Sequence, residues 1–198
     1  DNGQAHRTTL TQIFSGRLGY DAELINIVQG DSLRTPPGTT GGARMSAVLG
    51  STLMQAAGII AEQALPFAAE HLQAEIGDIQ FADGIFTAAG TNQSVTIEDL
   101  VRLIATDDPA QHPLNRVHDY TTDGATYPYG CHIVEIEVDQ QTYRPEIAQY
   151  TVVDDFGEII NPLTLEGQIH GGIAQGIGQA LYEHVAYDED GQLLAGSL

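Results

Sequence analysis

Lysine and tryptophan are absent from this 198-residue chain, and cysteine occurs once, at Cys131. Without lysine there is no Walker-type phosphate loop and no lysine Schiff base. Any phosphate must be met by arginine, hydroxyls or backbone N–H groups. A single cysteine permits neither an internal disulfide nor a cysteine-rich metal or iron–sulfur site, and no metal ligand is assigned. Positive charge is scarce as well: the seven bases are all arginines and face 27 acids, for a net charge of -20. That balance argues against nucleic acid or an anionic membrane as a partner. Asp1-Asn2-Gly3 has neither the charged region nor the apolar core of a signal peptide. An initiator methionine is missing too, so the chain is expected to be a piece of something longer.

What is present suits a globular core, since 42% of the residues are apolar, enough for one domain or two small lobes. Residues 161–183 are the most informative stretch. Asn161 as N-cap and Pro162 at the first position predict a helix start. Within the helical pattern sit Gly167, Gly171, Gly172, Gly176 and Gly178, each costing roughly 1 kcal/mol against alanine. Such a helix is expected to lie against another helix or a ligand at close range, so that a leucine at Gly172 would overpack. Glu166, Gln168, His170, Gln175 and Gln179 interrupt it too often for a membrane span.

Gly167-Gln168-Ile169-His170-Gly171-Gly172, followed by Gln175-Gly176-Ile177-Gly178-Gln179-Ala180-Leu181-Tyr182-Glu183, resembles the large, molybdenum-cofactor-binding subunit of the molybdenum hydroxylases. That family includes xanthine dehydrogenase, aldehyde oxidase and aerobic carbon monoxide dehydrogenase, whose branch fits best. The resemblance runs back through Val153-Asp154-Asp155-Phe156-Gly157, Ile160-Asn161-Pro162, Tyr127-Pro128-Tyr129-Gly130, Gly30-Asp31 with Thr35-Pro36, and Gly3-Gln4-Ala5-His6. It covers essentially the whole chain in order.

Taken from the N-terminus, Leu10, Ile13, Phe14 and Leu18 predict a helix over 7–18, and 23–28 alternates like a strand. Family members carry a Gly-Gln-Gly-His loop against the pterin, which implies binding roles for Gly3, Gln4, Ala5 and His6, with Ala5 in place of the middle glycine. Residues 31–46 form a turn-rich, glycine-containing stretch entering a helix, an arrangement that offers unpaired N–H groups to an anion. A plain surface loop is the alternative on local sequence. The family's Gly-Ser-Arg-Ser-like run implies cofactor contacts for Gly42, Ala43 and Arg44. The helix is expected to continue to Leu72 and to kink or split at Pro66.

Asp83-Gly84 predicts a hairpin within 78–93, and Thr96 with Asp99 predicts a capped short helix beginning in 94–98. Residues 106–126 read as a polar connection in which His112 and His118 are exposed. Two alternating runs, 132–139 and 146–155, predict an antiparallel pair whose Val134, Ile136 and Val138 face packs on helices. Asp154 and Asp155 end the second run and read as solvated turn acids. The resemblance places the Asp154-Asp155 segment at the cofactor's nucleotide end and gives Asp155, Asn161 and Gln168 binding roles, Gln168 towards the pterin edge, with a hydrogen bond to another helix as its alternative.

The fold class expected is α+β, two lobes with long helices on small, mostly antiparallel sheets: a first lobe at 1–110, a linker at 111–126 and a second lobe at 127–198. By resemblance, the parent would hydroxylate an aldehyde or heterocycle, or oxidise carbon monoxide, with oxygen derived from water. It would use a molybdopterin, as the cytosine dinucleotide, carrying molybdenum. A glutamate accepts the proton in the family and lies in a motif downstream of Leu198, so no catalytic residue is assigned here. The separate chain is expected to be silent and without cofactor. Iron–sulfur and flavin subunits or domains, a homodimer of such assemblies, and a cytoplasmic location, with a periplasmic one as alternative, complete the expectation. The competing reading is a non-catalytic assembly module contacting other lobes.

Overall fold

The computed structural model describes residues 2–35, 38 and 40–194. Pro36, Pro37 and Thr39 of the turn-rich stretch, including part of the Thr35-Pro36 motif, lie outside the described residues. Residues 6–160 form one compact unit, and residues 161–198 with 2–5 form another. The α+β class holds, but this division falls at Ile160/Asn161, whereas the sequence suggested a linker at 111–126.

The larger unit is built on two helices, α1 (His6–Leu18) and α2 (Met45–Leu72). Ala57, Ala61, Ala64 and Ala68 follow the spacing of one helical face and are at most 8% exposed, so neighbours approach the α2 backbone closely. By length and composition α2 could cross a bilayer, but this alanine stripe belongs to the protein core. α2 ends on Gln73, a left-handed residue, with Ala74 N–H donating to the Ala69 carbonyl, a stop that satisfies the last carbonyls. The helix runs unbroken through Pro66. Burial of Ala64, Ala68 and Ala69 on either side outweighs the lost N–H and the ring clash.

Strands β1 (Ile79–Ala82), β2 (Ile85–Ala88) and β3 (Ser94–Thr96) form an antiparallel sheet in that order. Asp83 and Gly84, both with positive φ, make the two-residue turn that the sequence predicts. Gly84 also lies against Gly19 so closely that a Cβ on either would meet the other's backbone or that of its neighbour, and both need positive φ. Thr96 caps α3 (Ile97–Leu103), accepting from Asp99 N–H at 3.0 Å and donating to the Asp99 carboxylate at 2.8 Å. Ser94–Thr96 is therefore a strand, not the start of the helix. Phe86, Ile97 and Leu100 fill the core, each worth about 1.5–3 kcal/mol of burial.

Three other expectations are corrected in this unit. Residues 25–28 are not a strand, because no neighbouring strand among the described residues supplies a ladder. His112 is half-buried, its Nδ1 accepting from Leu114 N–H at 3.2 Å and its Nε2 directed at the Val101 carbonyl. His118 reaches Gln55 on α2 at 2.9 Å. The 106–126 segment is thus tied to the helices.

β4 (Tyr129–Val138) and β5 (Pro145–Asp155) form the expected antiparallel ribbon, with a register shift at Glu135/Ile136. Its apolar face is not covered. Val134, Ile136 and Val138 are 40%, 55% and 55% exposed, because no helix of this unit lies on them among the described residues.

In the smaller unit α4 (Pro162–Ile177) begins as predicted: Asn161 Oδ1 accepts from Thr164 N–H at 3.1 Å, and Pro162 stands at the first position. The helix passes into one π-helical turn over Gly178–Tyr182, closed by Glu183 N–H on the Gly178 carbonyl at 2.8 Å. Among the described residues the close packing expected of its glycines is found only at Gly178, where a Cβ would meet the Glu183 carboxylate at 2.8 Å. A Cβ on Gly167, Gly171, Gly172 or Gly176 would meet nothing within 4 Å.

Candidate functional site

A cavity of about 1100 Å³ opens in the larger unit between α1, the first turns of α2 and the two ends of the ribbon. The two ends of the ribbon arrive together because Tyr129, the first residue of β4, pairs with Asp155, the last of β5. α1 contributes Gln12 and Arg17, α2 contributes Ser46, Ser51 and Gln55, and Ala43 sits at the mouth of α2. Gly42 and Ala43 both have positive φ, which turns the chain sharply into the helix. The first N–H groups of α2 have no partner within the helix, and Arg44 makes no side-chain cap.

On the cavity wall Tyr129 donates its hydroxyl to Asp155 Oδ2 at 2.9 Å, and Gly157 N–H donates to Asp155 Oδ1 at 2.9 Å. The Gly157 bond first, and the Tyr129 bond second, hold the Asp155 carboxyl below the usual carboxylate range. Asp155 in turn raises the Tyr129 phenol above its ordinary value, through the hydrogen bond and its charge. The lining therefore combines the Asp155 carboxylate, a second acid in Glu158, the hydroxyls of Ser46 and Ser51, and one arginine, Arg17.

Asp154, on the opposite face of the same strand end, is not the solvated turn acid expected. Its side chain is only 12% exposed and pairs with His132 Nε2 at 3.3 Å, because Gly130 across the ribbon leaves room for the carboxylate.

A second cluster belongs to the smaller unit. Gln168 Nε2 donates to the Gly3 carbonyl at 3.0 Å, joining residues 165 positions apart. Gln4 Oε1 accepts from Asn2 N–H at 2.8 Å. Ala5 adopts φ +57°, a left-handed conformation that favours glycine. His6 opens α1 in the other unit and is buried rather than part of an exposed tail. Burial lowers its pKa and so favours the neutral imidazole.

Of the residues singled out from the sequence, Ala43 and Asp155 line the cavity, with Gly42 and Arg44 beside Ala43 in the chain. Gly3 and Gln168 meet in the smaller unit, where Asn161 caps α4. Gln12, Arg17, Tyr127 and Tyr129 also line the cavity, and sequence reasoning gave them no role. For Tyr129 the signal was its place at the outer end of a run whose partner ends in Asp155.

Residues 1–198 match the family described as "Molybdopterin cofactor-binding domain". The chain is 32% identical over 200 residues to the carbon monoxide dehydrogenase large chain of Hydrogenophaga pseudoflava, covering 99% of this chain and 25% of that one. It is 35% identical to the 6-hydroxypseudooxynicotine dehydrogenase complex subunit gamma of Paenarthrobacter nicotinovorans, covering 98% and 25%. The crystal structure of a Cu,Mo-CO dehydrogenase superposes with a TM-score of 0.82 at 30% identity, over 100% of this chain and 25% of that one. The chain thus spans about a quarter of the length of these relatives.

Proposed function

Because the chain belongs to the molybdopterin cofactor-binding domain family of the molybdenum hydroxylase large subunits, we propose that its cavity holds part of that cofactor, with Asp155 and the mouth of α2 as the two poles. The observation that carries this reading is the convergence of Ala43, Ser46 and Asp155 on one cavity of about 1100 Å³. The donor set fits the group. A phosphate suits the first N–H groups of α2, which have no partner within the helix, and the hydroxyl of Ser46, in a chain without lysine. A nucleobase amino group suits a carboxylate kept ionised, as Asp155 is. Cytosine carries such an amino group, as adenine and guanine do, so the cytosine dinucleotide form is proposed from the family resemblance.

Gln168 and Gly3 form the second proposed contact region, where the amide holds the N-terminal loop in the conformation that presents Gln4 and the N–H groups around it. When bound, the cofactor would supply molybdenum redox and oxygen-transfer chemistry. The residues of this chain bind and orient it. We assign the protein that carries the chain to hydroxylation of aldehydes or heterocycles, or to carbon monoxide oxidation, with water-derived oxygen. The names of the relatives, a large chain and a complex subunit gamma, support the existence of partner subunits; that these bear iron–sulfur and flavin groups, and that the assembly is cytoplasmic and itself pairs, is proposed from the family resemblance alone. The separate chain is proposed to be inactive. An assembly role accompanies binding, since the uncovered face of β4 and the open glycines of α4 suit contacts with further parts of a longer polypeptide.

The test is Asp155→Ala in the full-length protein, read by molybdenum and pterin content per chain. Cofactor content should fall well below wild type while the circular dichroism spectrum is unchanged. Wild-type content would remove Asp155 from the site.

A further inference from the structure

His132 has no place in the cofactor reading, yet both of its ring nitrogens are engaged. Nε2 lies 3.3 Å from Asp154 Oδ1, and Nδ1 lies 3.1 Å from the Tyr150 hydroxyl. The Tyr150 ring meets the imidazole edge-on, with centroids 5.8 Å apart at 86°. With Asp154 ionised, Nε2 carries the proton and donates, which leaves Nδ1 to accept from Tyr150. A protonated imidazole keeps both contacts, because the tyrosine oxygen then accepts. Both contacts are therefore available to either form of the ring.

What it grips is the last turn of strand before the cavity. Asp154 pairs with Gly130 in the register, and a Cβ at Gly130 would collide with the Asp154 carboxylate and with the Val153 carbonyl, 2.6 Å away. The carboxylate is seated directly on the Gly130 backbone, under His132. Asp154 and Asp155 are consecutive strand residues, so their side chains point to opposite faces. Fixing one sets the direction of the other.

We propose that His132 is a positioning residue for the cavity: by clamping Asp154 onto Gly130 on one face of the ribbon, it aims Asp155 and its partner Tyr129 into the cavity on the other. The clamp itself is independent of what the cavity binds. Its consequence for the cofactor rests on the reading given above. Gly130 belongs to the same device, because any side chain there would displace the carboxylate that His132 holds.

The test uses 3-fluorotyrosine at position 129 of the full-length protein, titrated by 19F NMR. The Tyr129–Asp155 bond raises the phenol pKa, so the titration reports whether Asp155 is still aimed. His132→Ala should bring the titration down towards the ordinary phenol range, and Asp154→Ala should do the same. His132→Gln, which keeps an N–H donor for Asp154, should retain the wild-type titration. A wild-type titration in both His132→Ala and Asp154→Ala would overturn the proposal. The same variants are assayed for molybdenum and pterin content, where His132→Ala should weaken cofactor retention by roughly tenfold, as loss of a supporting partner typically does, and His132→Gln should restore it. A shifted titration with wild-type cofactor content in both His132→Ala and Asp155→Ala would leave the clamp standing and overturn the cofactor reading of the cavity.

Discussion

Asp155 shows how one carboxylate acquires a defined state from its position. Two donors, Gly157 N–H and the Tyr129 hydroxyl, stabilise its charged form, and the reciprocal effect on Tyr129 stabilises the neutral phenol. The signs set two limbs of a pH profile. A depressed carboxyl contributes stability that is present above its unfolded value of about 4 and is lost as pH falls through the folded value. A raised phenol contributes stability that is present below about 10 and is lost as pH rises through its folded value. Tyr129→Phe should therefore remove the alkaline limb and move the Asp155 titration up towards the usual carboxylate range. NMR titration of the Asp155 carboxyl in the variant checks this; an unmoved titration would show that Gly157 alone holds the carboxylate.

At the level of elements, α4 and α2 make opposite use of small residues. The alanines of α2 are buried against the core, whereas the glycines of α4 face open space in this chain. The expectation that a larger side chain at Gly172 overpacks is therefore reversed for the 198-residue chain. Gly172→Ala adds a better helix former where nothing lies within 4 Å, and should stabilise the smaller unit by about 1 kcal/mol. Thermal unfolding followed at 222 nm reads this as a raised midpoint. A lowered midpoint would mean that a neighbour contacts the glycine face in solution. Helix α4, its cap and its length were legible in the sequence because Asn161, Pro162 and the apolar period are local signals. What the glycines face was not, since the absence of a Cβ records a close approach without recording by what.

For the molecule as a whole, charge is the dominant global property. A net charge of -20 on 198 residues repels itself in the compact state. Among the described residues Arg102 pairs with Glu98 at 3.7 Å and with Asp99 at 3.1 Å, and both pairs are too exposed to offset that repulsion. Raising sodium chloride from about 20 mM to about 500 mM shortens the screening length several-fold. The melting temperature should rise with it. A melting temperature that is flat or falling with salt would show that local pairs outweigh the global term.

The sequence by itself determined the α+β class, the four main helices to within a few residues, the Asp83-Gly84 hairpin, the ribbon and the family, because each rests on period, caps and turn residues within short reach of one another. It also determined the chemistry available: no lysine, one cysteine and an excess of carboxylates. Only the tertiary structure decided which candidates meet. It put Asp155 beside Tyr129 at the open end of a ribbon and set Ala43 in the same cavity wall, and it seated Asp154 on Gly130 beneath His132. It also joined Gln168 to Gly3 across 165 positions. Those contacts depend on strand register and chain reversal, which hydrophobic period does not encode beyond the two strands themselves. For the same reason the face of Val134, Ile136 and Val138, apolar in sequence, proved to be uncovered. Alternation specifies that a face can be buried, and the neighbour that buries it must come from elsewhere in the fold.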